Sequence, residues 1–166
     1  MKRALGILLA LLLTSAALAD GIQNPNAATS GAQATLLPGN PASTASTALV
    51  MMGLGTTCVL TPKTTGRINV AFYGNQQNTT ISDGSQVKAA FGTGVAPVNG
   101  AAASGTTIGT TVSAFSPTAN AAYPFFVGGT IIGQALGAAL WFDLQAAAIT
   151  GGASQLANIT CVLTEF

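Results

Sequence analysis

The chain has 166 residues, of which 49% are hydrophobic, only 5% are charged and none is histidine. So few charges exclude a nucleic-acid groove and a polybasic membrane patch. Without histidine, and with only two cysteines, the common nucleophile–base pairs and zinc ligand sets are also out of reach.

Residues 1–19 read as a signal peptide. Lys2-Arg3 form a positive start, Ala4 to Ala17 an apolar Leu-rich run, and Ala17-Leu18-Ala19 a cleavage site before Asp20. The run is shorter than the ~20 residues a bilayer span needs, so an exported chain with no membrane span after cleavage is expected. The remaining charges are Lys63, Arg67 and Lys88 against Asp20, Asp83, Asp143 and Glu165. Solubility then rests on Thr, Ser, Asn and Gln, and such a surface does little to repel its own copies.

Residues 20–47 have little periodicity and few large apolar side chains. This composition predicts a flexible arm or linker ahead of a β domain at 48–166. Ala48 to Gly55 is apolar and ends in glycines, a first strand or an interface segment. Thr57 to Pro62 is the next strand, with Cys58 and Leu60 on one face. In Arg67 to Gly74, Ile68, Val70 and Phe72 alternate with Asn69, Ala71 and Tyr73, the period of a half-buried strand. Gly74 to Asn78 reads as loop and Asp83-Gly84 as a hairpin corner before the strand Gln86–Phe91.

Gly92 to Gly105 is a long turn-rich corner, with Pro97 and the Asn99-Gly100 turn signal inside it. A strand follows at Thr106–Phe115 and a loop at Ser116–Tyr123. Pro124 to Ile132 reads as a strand broken by a bulge at Gly128-Gly129. Ala139 to Ala147 sets Leu140, Phe142 and Leu144 opposite Trp141, Asp143 and Gln145. Gln155 to Phe166 puts Ile159, Cys161 and Leu163 on one face. Seven or eight strands without a convincing helix predict an all-β fold, a single antiparallel β-sandwich of jelly-roll type. A transmembrane barrel fits less well, since Thr164, Val162, Thr160 and Asn158 form no lipid-facing band.

Cys58 and Cys161, one in an early strand and one in the last, are the expected disulfide of an exported chain. Asp83, Asp143 and Glu165 lie on different elements, so no catalytic residue is assigned. Asn75, Asn78 and Asp83 offer oxygen ligands for Ca²⁺, but a polar loop accounts for them, and neither metal nor cofactor is expected. Trp141 and Tyr73 are candidates for stacking on a sugar, but for Trp141 core or subunit packing is the favoured role. The apolar segment Val50, Met51, Met52 and Leu54 and the pair Phe125-Phe126 exceed what one small sandwich needs inside. They are the candidate interface of a homo-oligomer, with a trimer favoured.

The blocks Val50-Met51-Met52-Gly53-Leu54-Gly55, Phe91-Gly92-Thr93-Gly94-Val95-Ala96-Pro97-Val98-Asn99-Gly100 and Trp141-Phe142-Asp143-Leu144, with a closing Glu165-Phe166, resemble a group of small proteins. The group comes from soil bacteria, their prophages and phages, and the likeness spans Leu49 to Phe166. It implies a virion-associated or surface β-sandwich protein, with no catalytic residues to carry over. Together these readings predict a non-enzymatic exported structural or interaction module that self-assembles, with a carbohydrate-binding module as the alternative.

Overall fold

A computed structural model describes residues Gly31–Phe166, which form one unit. The expected signal peptide and residues 20–30 of the expected arm lie outside the described residues. In chain order come β1 (Gln33–Leu36), β2 (Val50–Met51), a 3-10 turn at Leu54–Thr56, β3 (Val59–Leu60), β4 (Ile68–Asn78), β5 (Asp83–Thr93), β6 (Thr106–Ser116), β7 (Tyr123–Ile131), β8 (Leu140–Ala148) and β9 (Ser154–Glu165). They make two antiparallel sheets. The first has the order β1-β9-β4-β7; the second has the order β2-β8-β5-β6, with β3 also paired to β8.

The β-sandwich follows from alternation. Ile68, Val70 and Phe72 of β4, Ile159, Cys161 and Leu163 of β9, and Phe125, Val127 and Ile131 of β7 turn inward from the first sheet. Val87 and Ala89 of β5 and Leu140, Phe142, Leu144 and Ala146 of β8 meet them from the second. Each large side chain removed from water contributes roughly 1.5–3 kcal/mol, and this shared layer holds the sheets together.

Several elements differ from the sequence reading. The described part of the expected arm, residues 31–47, is not free. β1 pairs with β9 from Gln33↔Thr164 to Leu36↔Cys161, and Thr44 bridges Ser154. Ala34 and Leu36 pack on the core, which a polar composition conceals. Residues 31–47 therefore belong to the folded unit with 48–166. The expected loop Gly74–Asn78 is the second half of β4, because β7 and β9 pair with it on both sides. Asp83-Gly84 opens β5, and the corner lies before it, with Ser82 at φ 59°.

Gly128-Gly129 makes no bulge, and β7 pairs with β4 without a shift from Ile131 to Tyr123. A Cβ on Gly128 would stand 2.1 Å from the Val70 carbonyl oxygen, so glycine here permits close approach. One irregularity is in β9 instead, and another in the β5–β6 register between Val87 and Ala89. Tyr73 pairs with Thr160 and Asn75 with Ala157, leaving one extra residue on β9, and Asn158 has φ 53°.

Candidate functional site

Trp141, Asp143 and Gln145 are on the outer side of β8, where alternation alone would expose them. All nine residues of β8 are buried instead. The cover is the Gly92–Gly105 corner together with the Val50–Thr56 segment. Trp141, at 6% exposure, packs with Met51 and Ala90 beneath Ala96 and Ala101, and its Nε1 donates to the Thr93 carbonyl at 3.1 Å. Gly92 and Gly105 leave room for the indole, since a Cβ on either would stand within 2.5 Å of it. Gln145 Nε2 donates to the Ser104 carbonyl at 3.2 Å. Asn99 Nδ2 donates to the Met52 carbonyl at 3.1 Å, and the Gly100 N–H to the Met51 carbonyl at 2.8 Å.

The three sequence blocks thus meet at one place, and that place is filled by the chain itself. Trp141 has no face to offer a sugar, so that candidate is withdrawn. Met51, Met52, Leu54 and Phe125 are buried within the single chain and are core, not interface. Val50 is half-buried and pairs with Ala146. Met52, Leu54 and Phe125 belong to the main core, and Met51 to a second small core with Ala90 and Trp141 on the outer side of sheet two.

The three described acids all serve as loop anchors. Asp143, fully buried, accepts the N–H groups of Gly53 at 3.0 Å, Leu54 at 2.9 Å and Leu144 at 2.7 Å. Burial pushes its carboxyl up to about 6, although those donors pull the other way. Asp83 accepts from Gly84 at 2.6 Å, from Thr150 at 3.0 Å and from Gly151. Burial alone would raise its carboxyl, but these donors outweigh it and lower the pKa. Asn78 is fully buried and donates to the Gly84 carbonyl at 2.8 Å and the Gly151 carbonyl at 3.0 Å. Asp83 and Asn78 are thus turned to the chain rather than to a cation. Among the described residues, no group of three or more acids or cysteines could hold a metal ion.

Glu165 accepts five backbone N–H groups: Ala32 at 2.9 Å, Lys63 at 2.8 Å, Thr64 at 2.8 Å, Thr65 at 2.7 Å and Gly66 at 3.0 Å. Burial would raise its carboxyl, but this nest of donors holds it well below the usual range.

The expected disulfide is not formed. Cys58 and Cys161 are free, fully buried thiols. The neighbouring Cys58 thiol, and then burial, pushes the Cys161 thiol up, so it stays neutral. Strand position was a sound guide to proximity, but proximity alone makes no covalent bond.

What remains open is the outer face of the first sheet. Its outward residues include Gln33 and Thr35 of β1, Thr160, Val162 and Thr164 of β9, Asn69, Ala71 and Tyr73 of β4, and Phe126 and Thr130 of β7. None of these is charged. Tyr73 is 48% exposed and Phe126 55%, and they are partners in the β4–β7 register, with rings 5.1 Å apart and tilted by 42°. Thr160 lies on the other side of Tyr73 in the same rung. The next rung, Val162, Ala71 and Gly128, is small and apolar, so the aromatic pair stands above its neighbours. Of the sequence candidates, Tyr73 and Phe126 alone are brought together at an open surface. Alternation could have placed Ala71 and Thr160 on their faces; their shared rungs depend on pairings distant in sequence.

No family model matches the chain, and no curated protein does. Among solved structures, it is similar to the Eiger TNF of S. frugiperda, with a TM-score of 0.50 and 9% identity over 82% of this chain and 93% of that one. At this identity the likeness concerns the fold alone, an antiparallel jelly-roll β-sandwich built of two unclosed sheets.

Proposed function

We propose that the protein is a non-enzymatic interaction module that assembles with copies of itself through the outer face of its first sheet. One observation carries this reading: an exposed, ring-to-ring aromatic pair on a sheet face whose outward strand residues are uncharged, with Arg67 at its far end. Aromatic residues supply large contact areas at interfaces, and an uncharged face brings no like-charge repulsion between copies. Phe126 is on β7, at the edge of the sheet, and Tyr73 is one strand in. A pair set off to one side suits a ring of copies pointing their aromatic edges at a common axis, and we favour three copies. Export through residues 1–19, and a setting on a virion or bacterial surface, complete the reading; they rest on the signal-peptide pattern and on the resemblance of the sequence blocks.

Sedimentation equilibrium of the exported form at micromolar concentration tests it. A trimer is expected, and Phe126→Asp should give a folded monomer with an unchanged far-UV spectrum. A wild-type monomer would overturn the reading. In that event the exposed Tyr73 ring, beside Thr160, favours the carbohydrate-binding alternative. Titration with oligosaccharides, followed at the Tyr73 ring resonances, would then decide that question.

A further inference from the structure

Among the described residues, two buried side chains have polar atoms without a hydrogen-bond partner. Gln76 is 1% exposed, and both its Nε2 and its Oε1 are without a partner; Ser154, fully buried, has an unpartnered Oγ. Buried polar groups are as a rule hydrogen-bonded, to protein or to internal water, and each exception calls for a physical cause.

Register places the two together. On β4 and β9, Gln76 pairs with Leu156 and Asn78 with Ser154, so Gln76 and Ser154 are diagonal neighbours. Such diagonals are about 7–8 Å apart along the backbone, within reach of a long side chain but wider than one hydrogen bond. Both face the interior at the same end of the sandwich.

The other buried polar side chains at that end are already engaged, and Tyr123, beside Gln76 in the β4–β7 register, is half-buried. Ser85 Oγ donates to the Gln77 carbonyl at 2.7 Å, and Ser116 Oγ donates to the Thr118 carbonyl. The Asn78 carboxamide holds the Gly84 and Gly151 carbonyls and accepts the Thr80 N–H at 2.8 Å. None of these hydrogen bonds reaches Gln76 or Ser154.

The geometry points to an internal binding site for water between Gln76 and Ser154, on the inner face of β4 and β9. The chemistry selects water over a cation. The carboxamide presents both a donor and an acceptor, and the hydroxyl can act as either. A cation could use only Oε1 and Oγ and would be repelled by the Nε2 hydrogens. A water molecule donates to Oε1, accepts from Nε2 and bonds Oγ, matching the two to four partners usual for buried water.

Magnetic relaxation dispersion of solvent water on the wild-type protein tests the site. The Gln76→Met/Ser154→Ala double variant, which removes the need for a guest, serves as control. The wild type should show a long-lived internal water whose contribution is lost in the variant. Equal dispersion amplitudes in two folded proteins would overturn the assignment. Should the variant not fold, a high-resolution crystal structure of the wild type decides. Solvent density within hydrogen-bond distance of both Gln76 and Ser154 Oγ is expected, and a dry contact, or Gln76 turned onto a protein partner, would overturn it.

Discussion

The Glu165 carboxylate accepts the backbone N–H of Thr65 at 2.7 Å, so the end of the last strand holds the loop that leads into β4. The same carboxylate holds Ala32 just ahead of β1, joining three separate stretches of chain. Its folded pKa is depressed, so the unfolded state binds the proton more readily in acid. Stability from this group is full above the ordinary carboxylate value, about 4.3, and is lost as the pH falls toward the folded value. Glu165→Gln keeps one acceptor oxygen but sets an amide against N–H donors. It should lower Tm by several degrees at pH 7, with a smaller deficit at pH 3, measured by thermal unfolding at both.

Asp143 works in the opposite sense. Its carboxyl is pushed up to about 6, so the folded state keeps a proton that the unfolded chain has released. Stability from this group is full below about pH 4 and is lost as the pH rises through about 6, by up to about 3 kcal/mol. Denaturant midpoints at pH 5 and pH 7 should therefore differ, with the lower pH more stable. Asp143→Asn should flatten that difference. An equal slope in both proteins would show that the group does not titrate in this range.

Phe125 and Phe126 are adjacent, and their substitution should have unlike effects. Phe125 is buried among Val127, Phe72 and other core residues, so Phe125→Ala should destabilise the fold by about 3–5 kcal/mol. Phe126 points to solvent, and Phe126→Ala should change monomer stability by roughly 1 kcal/mol or less while weakening self-association. Denaturant unfolding paired with sedimentation separates the two effects.

The thiols give a chemical readout of the core. Cys58 and Cys161 are both at 0% exposure, and the Cys161 thiol is held neutral. A thiol reagent should leave the native protein unmodified and titrate two groups once it is denatured without reductant. No thiol in the denatured, unreduced protein would mean that an oxidant had joined the pair.

The central strands were legible because their pattern is local. Ile68 to Tyr73 alternates, and the structure turns those residues as alternation requires. Gly128-Gly129 misled, because a strand glycine signals either a bulge or a close neighbour, and the neighbour, Val70, comes from β4. Met51 misled for a related reason, while Trp141 went into the packing favoured for it. A second apolar layer outside the sheet requires the corner around Ala96 to fold over β8, and no short window of sequence contains all three. Glu165 resembled any terminal acid until the loop Lys63–Gly66 was seen to converge on it. The Tyr73–Phe126 pair was visible as two residue types but not as one surface, since the β4–β7 register joins them.

Antiparallel strands commonly keep one side to solvent, and β8 keeps neither, with β2 and β3 along one edge and β5 along the other. Its amides should be the last to take up deuterium, exchanging only when most of the sandwich opens, while those of the free edge of β6 exchange through small local movements. The rate at β8 is therefore a measure of global opening, read at one strand.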